Sequence, residues 1–307
     1  MRPLAVYHVP HPPISTYVGN RDVILSRVDF ILCIGGDGTI LYTASLFQEA
    51  IPPMMSFHVG SLGFLTHFVY ENYQQDIRRV IEGNVSLTLR HRLQCVFKTD
   101  YEVVETAEDA CPVSPPGKSD SMNGTTLLFN AKPKLFSSTS ADPDSVQLVM
   151  NELVVDRGPH PYLCNLELYC NGRFMTSVQG DGIIISTPTG STAYSLAAGA
   201  SMVHPSVSCM VITPICPHSL SFRPTVLPAG VEMTVRVAAN SRNSAWAAYD
   251  GRNRREIKQG DSVVVTTSAC PVPTINNTGH VTDWFDSLAE CLHWNVRKQQ
   301  KQLAKVS

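Results

Sequence analysis

The chain has 307 residues, of which 43% are hydrophobic and only 16% charged, and its net charge is -2 at pH 7. Those values exclude a disordered or coiled-coil polymer and leave no electrostatic footprint for nucleic acid. The length suits two domains, and no apolar run approaches the roughly 18 residues of a membrane span.

Residues 1–13 hold Pro3, Pro10, Pro12 and Pro13. They lack the apolar core of a secretory signal, so the expected compartment is the cytoplasm, and no strand is evident before Val28. Val28–Ile34 is a short apolar run that ends in Gly35-Gly-Asp-Gly-Thr39, and helical spacing follows from Ile40 to Ala50. Met54–Val59 reads as a second buried strand, closed by Gly60-Ser-Leu-Gly63. Glu71–Glu82 reads as a helix with Ile77, Val80 and Ile81 on one face. Successive strand–helix units predict an α/β domain over 1–100, with Leu87–Val96 as a strand leading out of it. The Pro- and Ser-rich stretch 101–145 is expected to be a loop insertion.

Residues 146–282 are rich in short apolar runs separated by Gly, Asn and Pro. The expected strands are Gln147–Val155, Leu163–Tyr169, Phe174–Val178, Gly182–Ser186, Met210–Thr213, Glu232–Val237, Ala245–Tyr249 and Ser262–Thr267. That pattern predicts a β-sandwich-like domain. A closing helix is expected over Asp283–Lys305, with Phe285, Leu288, Leu292 and Val296 as a stripe that docks on the α/β domain. Nine cysteines at irregular spacing, with no C-x-x-C pair, read as thiols of a reducing compartment.

Three motifs carry chemistry. In Gly35-Gly-Asp-Gly-Thr39 the glycines and Thr39 let backbone N–H groups approach a phosphate. Asp37 is out of place in an anion-binding turn unless it accepts a proton or holds a metal. In Gly180-Asp-Gly-Ile-Ile-Ile-Ser-Thr-Pro-Thr-Gly-Ser-Thr-Ala-Tyr194 a buried strand enters a hydroxyl-dense turn, where Asp181 could accept donors from a ligand and Tyr194 could cover a ring. Asn151-Glu152 places an amide and a carboxylate amid apolar residues, which is costly without partners. His218 and Arg223 stand in a polar loop, and Tyr249-Asp-Gly-Arg252 reads as a hairpin turn. Neither a Walker P-loop nor a G-x-G-x-x-G after a strand is present.

Taken in order, Gly35–Thr39, Gly60–Phe64, Asn151–Gly158, Gly180–Ala200, Pro214–Pro224 and Tyr249–Gly251 resemble the NAD kinase family. PICPHSLSFRP, NELVVDRG and DWFDSLAECLHWNVRK are similar to its animal cytosolic branch. The resemblance implies an α/β domain followed by a β domain, and phosphoryl transfer from ATP to the 2′-hydroxyl of the adenosine ribose of NAD. It makes Asp37 the general base. It assigns NAD to Asp37, Gly38, Asn151, Glu152, Asp181, Ser191, Thr192, Ala193, Tyr194 and Ser195, and leaves the phosphates to Gly35, Gly36, Gly38 and Thr39. It further implies Mg, with no protein ligand identified, and a homodimer or homotetramer that engages neither nucleic acid nor membrane.

Family members carry a further strand and helix ahead of the glycine turn, whereas 34 residues precede Gly35 here. The expectation is a shortened front end with near-normal NAD binding and weak ATP binding. Two alternatives follow: a non-catalytic NAD-binding or regulatory isoform without a complete ATP site, or a lipid kinase on the related scaffold.

Overall fold

The computed structural model describes residues 27–99 and 146–296, together with the backbone of two short strands, β1 (Leu4–Val6) and β2 (Ser15–Tyr17). These two pair antiparallel, so strands do precede Val28, contrary to expectation. The expected insertion 101–145 and residues 297–305 of the expected closing helix lie outside the described residues.

In chain order there follow β3 (Ile31–Ile34), α1 (Asp37–Ser45), β4 (Met54–His58), β5 (Phe68–Val69), α2 (Tyr73–Ile81), β6 (Leu87–Arg90), β7 (Leu93–Lys98), β8 (Val146–Val149), β9 (Glu152–Asp156) and β10 (Cys164–Cys170). Next come β11 (Arg173–Gly180), β12 (Gly182–Ser186), α3 (Tyr194–Ala197), β13 (Cys209–Ile215), β14 (Thr225–Pro228), β15 (Met233–Val237), β16 (Ala245–Tyr249), β17 (Arg252–Ile257), β18 (Ser262–Thr267), β19 (Val272–Ile275) and α4 (His280–Leu292).

The first layer is a five-stranded sheet. β4 pairs in parallel with β3, β5 and β19, and β6 closes the edge antiparallel to β19. One face buries Ile31, Cys33 and Met54 against Ile40 and Ala44 of α1. The other buries Phe57, Phe68 and Ile275, with Ile77 and Val80 of α2 packed over them. Ile81, expected on that face, is exposed.

The remaining strands form two antiparallel six-stranded sheets, ordered β11-β10-β15-β18-β7-β8 and β14-β13-β12-β9-β16-β17. Alternate residues of each strand meet in one core, including Leu93, Leu153, Leu166, Ile183, Ile185, Met210, Val235 and Val263. Ile184 points the other way and is still buried, because Val154, Ala198 and Ile215 cover that outer face. A continuous Ile-Ile-Ile run belongs in such a strand, covered on both sides.

Three boundaries differ from expectation. Leu87–Val96 is two strands, and the chain leaves the α/β sheet for the sandwich across His91-Arg92, inside the segment 1–100. β19, inside the segment 146–282, returns to the α/β sheet. Gln147–Val155 breaks at Met150-Asn151, where the chain switches from one sandwich sheet to the other.

The last described helix runs from His280 to Leu292; the positive φ of 50° at the capping His293 and the Trp294 N–H to Leu288 carbonyl bond (3.4 Å) close it. Of the expected stripe only Leu288 is buried; Phe285, Leu292 and Val296 face outward, and Asp283 and Ser287 are buried instead.

Candidate active site

β3 delivers the glycine turn. Gly35 donates to the Phe57 carbonyl (2.9 Å), Gly36 caps α1, and Asp37 is the first residue of the helix. An acidic side chain there meets the positive end of the helix dipole. The Asp37 carboxylate is gripped by the connection from β4 to β5: Phe64 N–H donates to Oδ2 and Leu65 N–H to Oδ1, both at 3.0 Å. Gly63 is required at this grip, because a Cβ there would overlap Asp37 Oδ1 and stand 2.8 Å from Thr66 Oγ1. The Gly60–Phe64 stretch is thus the holder of Asp37. A side chain added at Gly36 or Gly38 would meet open space, which leaves that face of the turn free for phosphates. The Thr39 N–H is engaged by the Gly36 carbonyl (2.9 Å). Arg252 of β17 reaches across to donate to the Gly38 carbonyl (3.3 Å) while lying over the Tyr42 ring.

Asn151 and Glu152 occupy the corner between β8 and β9. Met150, just before them, sits in the α/β core beside Ile40 and Ala44, so the corner is anchored under the helix that Asp37 begins. Asp250 holds the corner from the other side. Its carboxylate accepts the backbone N–H groups of Met150 (2.8 Å), Asn151 (2.8 Å) and Glu152 (3.0 Å). The expected hairpin turn is present: Asp250 and Gly251 have φ of 48° and 71° between β16 and β17. The carboxylate's contact with the corner is not signalled by the turn sequence, only by the place of Tyr249–Gly251 among the motifs.

Burial, with Asp250 adding to it, pushes the Glu152 carboxyl up to about 8. Burial likewise raises Asp250, opposed by its three N–H donors. Glu152 is therefore mostly a neutral acid at pH 7, able both to donate and to accept. Asn151 Oδ1 and Glu152 Oε2 are buried without a hydrogen-bond partner in the chain. Such atoms are rare in folded proteins and call for an explanation.

Asp181 lies at the crossing from β11 to β12, paired with Arg157 (Nε to Oδ1, 2.9 Å), both about a third exposed. The TPTGST turn is a 3-10 turn over Thr189–Thr192, tied to the corner by Thr187, whose N–H donates to the Asn151 carbonyl (2.9 Å) and whose hydroxyl donates to the Met150 carbonyl (2.6 Å). Of the hydroxyls expected to face NAD, three are spent on the fold, Thr192 Oγ1 donating to the Thr189 carbonyl (3.1 Å). Ser191 donates to the Pro188 carbonyl (2.6 Å) and accepts from Val203 N–H (2.8 Å), and Ser195 donates to Ser186 Oγ (3.0 Å). Ala193 is half-buried and Tyr194 is exposed, which leaves them as the members of this stretch open to a ligand. A single helical turn, α3, follows the 3-10 turn. His218 lines a hollow with Thr176 and Gln179 of edge strand β11, and Arg223 is exposed further along the same connection.

Among the described residues no three His, Cys, Asp or Glu side chains gather as a metal cage, and no helix is long and apolar enough to cross a membrane.

Two family models match the chain, described as the ATP-NAD kinase N-terminal domain over residues 3–85 and the ATP-NAD kinase C-terminal domain over residues 150–277. The chloroplastic NAD kinase 2 of Arabidopsis thaliana is 44% identical over 94% of this chain and 26% of its own length. The NAD(+) kinase of Saccharomyces cerevisiae is 40% identical over 94% of this chain and 49% of its own. The chain thus spans between a quarter and a half of these curated relatives. A solved yeast NADH kinase complexed with NADH superposes with a TM-score of 0.73 at 30% identity, over 92% of this chain and 71% of that one.

Proposed function

Since the chain belongs to the ATP-NAD kinase family, we propose that it transfers the γ-phosphate of ATP to the 2′-hydroxyl of the adenosine ribose of NAD. One observation carries this reading furthest. Asn151 and Glu152 present unpartnered buried oxygens from a corner that Met150 fixes to the helix of Asp37. A hydroxyl-rich ribose supplies the donors and acceptors such atoms want.

In this reading Asn151, Glu152 and Asp181 hold NAD, with Ala193 and Tyr194 beside it. Asp37 orients the attacking hydroxyl and takes its proton, and the Gly36–Gly38 face receives the phosphates. Positioning and charge do most of the work in phosphoryl transfer, which fits a site built from grips on backbone.

For Mg, one or two carboxylates with phosphate oxygens and water are the usual shell. Asp37 has one bond on each oxygen, and a carboxylate offers about four acceptor sites. It therefore retains room for a cation arriving on ATP. When bound, that ion would neutralise phosphate charge.

The purified chain incubated with NAD, ATP and Mg should form NADP. NAD binding without NADP would favour the regulatory alternative. We place the chain in the cytoplasm on its eight described cysteines, all free thiols. A dimer or tetramer through the sandwich would cover the exposed edge strand β11, with its outward Phe174 and Met175. Light scattering at micromolar concentration should report more than one subunit.

A further inference from the structure

We propose that Arg90 is a positioning residue for phosphoryl transfer, joining the loop that grips Asp37 to the Thr189–Thr192 turn. The proposal rests on the kinase reading above. Its first support is the inverted pattern of β6. Leu87 and Leu89 face outward, and Thr88 and Arg90 face in. A strand built only for stability would bury its leucines.

The second support is where the guanidinium points. Arg90 is 5% exposed, and among the described residues it has no carboxylate within ion-pair distance. Its Nη1 donates to Thr189 Oγ1 (3.4 Å) in the turn that leads to Tyr194. Its Nε donates to Thr274 Oγ1 (3.1 Å) of β19. Its Nη2 stands 3.3 Å from Nε2 of His67, two residues past the Leu65 N–H that holds Asp37.

Arginine has no acceptor, so His67 Nε2 must accept and the ring must be neutral, with its proton on Nδ1. Nδ1 faces Ser287 Oγ (3.4 Å), and that hydroxyl donates to the Asp283 carbonyl (2.9 Å) on α4. Every donor in this series runs one way. Burial, with Arg90 adding to it, lowers His67 to about 4, in agreement with the neutral ring. Asp37 and Asp283 both favour the charged form of Arg90 against its burial. A second contact brings α4 to the same loop: Cys291 Sγ lies 3.3 Å from the Leu62 carbonyl. The polar inner face of α4 is thus accounted for as the backing of this network.

The test is steady-state kinetics with the full chain, after wild-type turnover of NAD has been established. Absence of that turnover would sink the kinase reading alone. Arg90→Met replaces a buried ion by a hydrophobic group of similar reach, a change folded proteins often tolerate. It should lower kcat about 10²-fold with the KM for NAD changed less than about threefold. Arg90→Lys should recover roughly tenfold of that loss, because the charge remains while the fork is lost. A folded Arg90→Met with kcat within about threefold of wild type overturns the proposal.

Should Arg90→Met fail to fold, Thr189→Val decides. It leaves Arg90 in place, and the expected kcat loss is roughly tenfold, with faster amide exchange at Ala193. Unchanged kcat and unchanged exchange in Thr189→Val would equally overturn it, and the exchange arm does not depend on turnover.

Discussion

In the proposed reaction the Asp37 carboxylate meets a sugar hydroxyl and has to be aimed, and it is aimed by two backbone N–H groups rather than by another side chain. Asp37→Asn keeps the shape but removes the proton acceptor. Turnover should fall roughly 10²–10⁴-fold, the usual worth of a general base, while calorimetry still finds NAD bound; a fall below about tenfold would refute the catalytic role. Glu152 gives a second prediction. An ordinary glutamate titrates near 4.5 and this one at about 8, so between those values the folded chain holds a proton that the unfolded chain has released. Stability from this group is full below the lower value and is lost as pH rises through the upper one. Glu152→Gln should therefore flatten the decline of melting temperature between pH 5 and 8, and parallel slopes in the two proteins would count against the assignment. The place of Asp37 at a strand-to-helix turn was legible because its motif is contiguous. The role of Asp250 was not, because its partners lie about a hundred positions earlier and only the folded sandwich brings them together. Ser191 and Ser195 show the reverse error: chemistry suited them to a ligand, and packing took their hydroxyls first.

At the scale of elements, the Gly180-Asp-Gly182 corner lets the chain step from one sandwich sheet into the other within three residues. A Cβ at Gly182 would overlap the Val155 carbonyl and stand 2.9 Å from Asp156 Cα, both backbone atoms that cannot swing aside. Gly182→Ala should thus cost about 1–3 kcal/mol or more by overpacking and shift Asp181, weakening NAD binding alongside. A variant with wild-type melting temperature would show that the corner yields more easily than the geometry says. The strands of this domain were mostly legible, because apolar alternation and Gly or Asn turns are local signals. β6 and α4 were read less well for one shared reason. Both bury polar residues, Arg90 and Thr88 on one and Asp283 and Ser287 on the other, and a reading by hydrophobic face assigns such residues to solvent.

At the scale of the whole molecule, the two domains trade strands: β6 passes to β7 across His91-Arg92, and β18 passes back to β19. Arg92 sits at that exchange, 1% exposed. Its Nε donates to the Cys270 carbonyl (2.6 Å) on the returning connection, its Nη1 to the Phe47 carbonyl (2.6 Å), and its Nη2 to the Glu49 carbonyl, both just beyond α1. One side chain thereby fastens both crossings to the exit of the helix that starts with Asp37. Removing it leaves three carbonyls without this donor, of which the buried Phe47 carbonyl costs about 1–3 kcal/mol before relaxation and the two less buried ones less. It also loosens the joint more than either core, since no residue of the sandwich cluster is taken away. Arg92→Met should therefore split a single calorimetric transition into two, the α/β domain melting first. Below the first transition, turnover should drop because Asp37 loses its register with the Asn151–Glu152 corner, while NAD affinity, which the proposed site seats mainly in the sandwich, falls much less. One undivided transition with unchanged midpoint would mean that the cores alone hold the domains together and that the Arg92 bonds are dispensable.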